Sequence, residues 1–132
     1  MFMSNVAPIV VVTILNILLG MLWYSPMFLG DMWAKAHKFE KKKMKPTPMH
    51  FIGSVITTLV TACVIAFLVQ RFGIDRWEYG MSFGFYFWLG FVATSHFSGV
   101  IWAKKPLTVY FIDAGHYLVS LVMMTAIIAG WQ

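Results

Sequence analysis

Four long apolar stretches, joined by short connections, constrain the fold of this chain more than any other feature. They cover residues 5–24, 48–71, 78–102 and 106–130 of a 132-residue sequence. A helix that crosses a bilayer needs about 20 mainly apolar residues. Only 11% of the residues are charged, whereas about 25% is usual in a soluble domain. The sequence therefore predicts an all-α polytopic membrane protein in which residues 1–132 form a single domain with four transmembrane helices.

The short connections predict how these helices are arranged. Only residues 103–105 separate the third stretch from the fourth, and the turn around Gly73 is also tight. Helices joined so closely are antiparallel neighbours, so an up-and-down bundle is the simplest topology. Gly73 is a typical helix-terminating residue after the second span, and Asp75 to Glu78 resembles a capping box that opens the third.

The longest connection, residues 26–47, is expected to be a basic cytoplasmic loop. The pair Ser25-Pro26 is typical of a helix start, so we predict a short interfacial helix from Pro26 to about Phe39. Six of the ten basic residues of the chain lie in this connection. Lysines beside a membrane helix attract anionic lipid headgroups by about 1 kcal/mol each. The predicted headgroup-binding residues are Lys35, Lys38, Lys41, Lys42, Lys43 and Lys45.

The distribution of basic residues also predicts orientation. Eight lysines follow the first and third stretches, whereas only Arg71 and Arg76 lie on the opposite side. The positive-inside rule places the lysines in the cytoplasm and both termini outside. The first stretch lacks a preceding basic region and continues into the bulky Trp23 and Tyr24, so we expect no cleavable signal peptide. Without a separate basic domain, the net charge of +5 does not indicate a nucleic-acid partner.

Ionisable residues within the apolar stretches are the main candidates for function. An acid at the centre of a membrane helix costs about 2.5 to 3.5 kcal/mol on insertion, so Asp113 needs a partner, a wet cavity or a function. A rise of about 1.5 Å per residue places Asn16, His96, Asp113 and His116 between about 9 and about 15 Å from the cytoplasmic helix ends. We therefore expect one polar layer, with His96 facing Asp113 and His116 one turn deeper.

Three interpretations of this layer remain open. Asp113, His116, His96 and Asn16 could form a proton or cation pathway, because carboxylates and imidazoles exchange protons. Alternatively, His96, His116 and Asp113 could hold a transition-metal ion such as Zn or Fe. The residues could also join helices by hydrogen bonds alone, the interpretation we favour for Asn16. Because four helices barely enclose a pathway, the first interpretation implies a homo-oligomer.

Other features favour a structural alternative. Two small-residue pairs of the third stretch, Gly80 with Gly84 and Ser95 with Gly99, allow close approach by another helix. Such faces would also suit an assembly subunit of a larger membrane complex. No nucleophile motif, phosphate loop or pair of acids indicates an enzyme. Aromatic residues near the predicted span ends are interpreted as interfacial belts. These residues are Trp23, Tyr24, Trp33, Trp77, Tyr79, Trp102 and Trp131.

The run from Gly20 to Pro26, which contains Trp23-Tyr24-Ser25-Pro26, is followed by Gly30 and Trp33. With these residues the chain resembles the integral membrane family called domain of unknown function 1761. Further similarity lies at residues 89–95, 112–115 and 129–131. The resemblance implies a compact four-span bundle in a bacterial inner membrane, without an established activity. The family pattern has asparagine at 113, an aromatic residue at 116 and a small hydroxyl residue at 96. Asp113, His116 and His96 depart from it.

Overall fold

The computed structural model describes residues 6–25, 28–37 and 48–131, and within these ranges the chain is helical without strands. The all-α prediction is therefore confirmed for this part of the chain. In order, the helices are α1 (Val6–Trp23), α2 (Gly30–His37), α3 (Pro48–Arg71), α4 (Trp77–Phe87), a π-helical turn (Trp88–Ala93), α5 (Thr94–Trp102) and α6 (Leu107–Gly130).

Three of these helices, α1, α3 and α6, are long and apolar enough to cross a membrane. They occupy the residues predicted for the first, second and fourth spans. Large apolar side chains cover their outer faces, including Ile14 on α1, Phe67 on α3 and Phe111 on α6, each more than half exposed. Such a surface suits lipid rather than water, so the membrane character predicted from composition agrees with the structure.

The third predicted span is helical throughout residues 77–102 but is not one regular α-helix. A π-helical turn over Trp88–Ala93 separates α4 from α5. Two side-chain hydrogen bonds connect its first and last residues to α6. The Trp88 indole donates to the carbonyl oxygen of Ala114 at 2.7 Å, and the Tyr110 hydroxyl donates to that of Ala93 at 3.1 Å. Both bonds tie the turn to α6.

Helix α6 is the centre of the packing and contacts α1, α2, α3, α4, the π-helical turn and α5. The apolar core lies where the C-terminal half of α6 meets α1 and α3. Val12, Met124 and Ile128 are completely buried there. Helix α4 lies close to α6 at Gly80 and Gly84, where an added Cβ would overlap the backbone of α6. The small-residue pair predicted from the sequence is therefore used within the chain.

Two helix starts differ from their predictions. Helix α2 begins at Gly30 rather than at Pro26, which lies outside the described residues. The Gly30 amide donates to the Ser25 carbonyl oxygen at 2.8 Å, so the chain turns before the helix starts. Helix α4 begins after Arg76, and no side chain caps it. The predicted capping box is wrong because Arg76, not Asp75, occupies the N-cap position, and Glu78 Oε2 lies 3.3 Å from Arg76 Nε. By contrast, Gly73 has the left-handed φ of 67° expected after the second span.

Candidate functional site

The end of α1 places Tyr24 against α6, where its hydroxyl donates to Oδ1 of Asp113 at 2.5 Å. A bond of this length is typical of a hydroxyl that donates to a carboxylate, about 2.5–2.7 Å. Asp113 is half-buried. Asp113, the residue that costs most to place in an apolar helix, therefore has a specific partner in Tyr24, the residue that follows α1.

His116 lies one turn further along α6 and completes the Tyr24–Asp113–His116 cluster. Its ring packs against Tyr24, Trp23 and Tyr117, with centroid distances of 5.4, 6.0 and 5.3 Å. Its Nε2 atom is buried and has no hydrogen-bond partner among the described residues. A Cβ added at Gly20 would sit 3.5 Å from this nitrogen. The imidazole is thus held by rings and keeps one nitrogen uncommitted.

Two tryptophan indoles hold the backbone of α6 on either side of Asp113. Trp23 Nε1 donates to the Ile112 carbonyl oxygen at 2.9 Å, and Trp88 Nε1 donates to that of Ala114 at 2.7 Å. Sequence reasoning interpreted Trp23 and Tyr24 as interfacial belt residues and did not single out Trp88. The Trp23-Tyr24-Ser25-Pro26 element could have indicated that Trp23 and Tyr24 face inward. A turn directly after a helix can direct the last side chains of that helix toward its neighbours.

The comparison with known families bears on these contacts. The family model described as "Protein of unknown function (DUF1761)" matches residues 7–129. The chain belongs to the DUF1761 family. The resemblance seen in the sequence is therefore confirmed over nearly its whole length. No curated protein and no solved structure matches the chain.

In this DUF1761 chain, separate parts of the resemblance meet in space. Trp23 and Tyr24, from the element around Trp23-Tyr24-Ser25-Pro26, bond to Ile112 and Asp113 of the element at residues 112–115. Gly115 belongs to the same contact, since a Cβ there would lie 3.3 Å from Cζ2 of Trp23. These elements, more than 80 residues apart in sequence, therefore form one structural unit.

The structure gives His96 different partners from those predicted. A carbonyl oxygen only accepts, so His96 Nδ1 carries a proton and donates to Val92 at 3.0 Å within its own helical segment. Its ring packs on Tyr117, with centroids 5.1 Å apart. Asp113 is bonded to Tyr24 instead. Tyr117 thus lies between the two histidines, since its ring also contacts His116.

Asn16 joins three helices. Its Nδ2 donates to Thr58 Oγ1 of α3 at 3.1 Å, and its Oδ1 accepts from the Ser120 hydroxyl of α6. Thr58 and Ser120 are both buried. This arrangement supports the helix-joining interpretation of Asn16. The other hydroxyls of α3, those of Ser54, Thr57 and Thr61, donate to carbonyls of their own helix, and Ser54 and Thr57 are exposed.

The predicted metal and headgroup residues are placed as follows. Among the described residues, no three His, Cys, Asp or Glu side chains lie close enough together to hold a metal ion. His96, proposed from the sequence as a ligand together with His116 and Asp113, bonds to Val92 and packs on Tyr117. Lys35 is exposed on α2. The remaining predicted headgroup lysines, Lys38, Lys41, Lys42, Lys43 and Lys45, lie outside the described ranges.

Proposed function

We propose that this protein crosses the membrane four times, with residues 77–102 as the third span. That segment is helical without a break, and at about 1.5 Å per residue it reaches about 39 Å, enough to cross about 30 Å of hydrocarbon. Antiparallel contacts of α1 and α4 with α6 support an up-and-down arrangement. The lysine-rich connections then face the cytoplasm of a bacterial inner membrane and bind anionic headgroups, with both termini outside.

We propose further that the protein exchanges protons or cations through the Tyr24–Asp113–His116 cluster. The observation that carries this proposal is the buried Nε2 of His116, which has no hydrogen-bond partner within the described part of the chain and lies one turn from the half-buried Asp113 side chain. Carboxyl and imidazole groups are the side chains that most often take up and release protons in proteins. Helix joining alone would need neither, because neutral hydroxyl and amide groups such as Asn16 already do it in this chain.

The direction of the polar contacts supports an oligomeric pathway. On α6, Asp113, His116 and Ser120 follow one another at three- and four-residue steps and so share a face. Beyond Ser120 the line meets Met124 and Val12, both completely buried. The route we propose therefore runs outside this apolar core, along surfaces that further copies of the chain complete. The exposed hydroxyls of α3 suit such helix–helix contacts.

The test is ion flux into proteoliposomes that contain the purified protein, measured separately for protons and for monovalent and divalent cations. Asp113→Asn should reduce the flux to the level of protein-free liposomes, because the amide neither carries a negative charge nor exchanges a proton. Asp75→Asn is the matched control, since it makes the same chemical change at an exposed position between α3 and α4. It should retain wild-type flux.

A wild-type rate in the Asp113→Asn variant would contradict the proposal. Tyr24→Phe then separates the roles within the cluster, because it removes the hydroxyl that bonds to Asp113 but keeps the ring against His116. We expect this variant to conduct with altered rate rather than to lose flux completely, since the carboxylate remains.

A further inference from the structure

Asp113 is bracketed by two side-chain hydrogen bonds to the backbone of its own helix. The acceptors are the carbonyl oxygens of Ile112 and Ala114, and the donors are the indoles of Trp23 and Trp88, at 2.9 and 2.7 Å. A carbonyl oxygen has two lone pairs, so it can accept an indole N–H in addition to a helical amide.

The two indoles reach α6 from different sides. Trp23 ends α1, whereas Trp88 begins the π-helical turn. Residues 112 and 114 are about 200° apart around the helix axis, because each residue of an α-helix turns by about 100°. Two bonds placed in this way oppose rotation of α6 in both directions. The π-helical turn is itself held by the Tyr110 hydroxyl bond to Ala93.

Rotation matters because the bond between Tyr24 and Asp113 tolerates little displacement. An atom about 5 Å from a helix axis moves by about 1.7 Å when the helix rotates by about 20°. A hydroxyl bond at 2.5 Å lengthened by that amount exceeds the range of about 2.5–3.0 Å for such bonds. The position of the carboxylate therefore depends on the rotational setting of α6.

We propose that Trp23 and Trp88 are positioning residues for Asp113, which hold α6 at the rotation where its carboxylate meets Tyr24. Their relevance to ion exchange rests on the proposed function, whereas the positioning itself is a separate structural claim. Neither indole touches the carboxylate through its N–H, so both act through the backbone of α6.

The experiment uses Trp88→Phe, which keeps an aromatic ring and removes the N–H. The readout is the Tyr24 hydroxyl proton, observed by NMR in protein reconstituted into lipid, because a short bond to a carboxylate gives a strongly shifted, slowly exchanging signal. Trp88→Phe should lose this signal and should reduce flux. Tyr110→Phe is the matched control: it removes the other bond between the π-helical turn and α6, but leaves both carbonyls that flank Asp113 with their donors. It should keep the signal.

Retention of the Tyr24 signal in Trp88→Phe would overturn the inference. Loss of the signal in both Trp88→Phe and Tyr110→Phe would also overturn it, because that result would show only that the π-helical turn must dock on α6. If Trp88→Phe does not fold, exchange of the wild-type protein into D₂O gives a second test. The Trp88 indole proton should then exchange more slowly than that of the exposed Trp102, and equal rates would overturn the inference. These readouts are independent of flux, so a failure of ion exchange in the Asp113 experiment would leave the positioning claim testable.

Discussion

Replacing Gly84 with alanine tests the packing that places the third predicted span on α6. A Cβ at Gly84 would lie 2.8 Å from the carbonyl oxygen of Leu121 and would also overlap the Thr125 hydroxyl. Ordinary contacts of a Cβ begin at 3.4 Å, so the overlap with the Leu121 oxygen is about 0.6 Å. Because that atom belongs to the backbone, it cannot rotate away. Helix α4 must therefore move outward at this turn.

The cost follows from this displacement. A gap of about 0.5–1 Å forfeits between a quarter and a half of the dispersion energy of each contact, and overpacking in folded cores costs about 1–3 kcal/mol. In water, alanine would recover about 1 kcal/mol through its higher helix propensity. In lipid or detergent the separated helices of the unfolded protein stay helical. Most of the gain in helix propensity is therefore common to the folded and unfolded states and does not change the free energy of unfolding. We expect Gly84→Ala to lower the free energy of unfolding by about 1–3 kcal/mol.

The measurement is equilibrium unfolding in mixed micelles titrated with sodium dodecyl sulfate, followed by tryptophan fluorescence. Gly53→Ala is the matched control, since Gly53 also lies within a helix but a Cβ there meets no atom within 4 Å. It should change the free energy of unfolding by less than about 0.5 kcal/mol. Equal stabilities of the Gly84→Ala and Gly53→Ala variants would refute the close approach of α4 to α6.

Two further predictions concern α1 and the turn that follows it. Asn16→Leu removes hydrogen bonds to α3 and α6, which average about 0.6 kcal/mol each in membrane bundles. The same titration should therefore show a loss of about 1 kcal/mol, and wild-type stability would argue against these bonds. Gly30→Ala would bring a Cβ within 2.7 Å of the Ser25 carbonyl group, so the amide of residue 30 should exchange its proton faster. Gly90→Ala, whose Cβ meets nothing within 4 Å, should leave that exchange unchanged.

The helices were predictable from the sequence because their signal is local. Apolar runs of sufficient length coincide with α1, α3 and α6, and a glycine with positive φ follows α3 as expected. The start of α2 was not predictable from Ser25-Pro26, because the chain first makes a turn that brings the Gly30 amide to Ser25. The pair Ser25-Pro26 indicates where a helix can begin, whereas the start of α2 at Gly30 depends on the backbone bond between Gly30 and Ser25.

The candidate site was predictable only in part. Asp113 and His116 stood out because charge is costly in an apolar helix, and both lie in one cluster. His96 was expected opposite Asp113 from its depth and from the tight turn that joins the third and fourth spans. Depth states how far along a helix a residue lies but not which way its side chain points, and the structure turns His96 toward Val92 and Tyr117.

By itself, the sequence determined that this chain is helical, that it is apolar enough for a membrane, and that its last long helix contains an acidic residue, Asp113. Each of these properties depends on residue type and on spacing along one segment. Only the tertiary structure decided which groups meet that acid. Tyr24 bonds to Asp113 from 89 residues away, and Trp23 and Trp88 hold the backbone beside it. Such contacts depend on the rotation of each helix about its axis. Packing between the helices sets this rotation, and a local sequence pattern does not predict it.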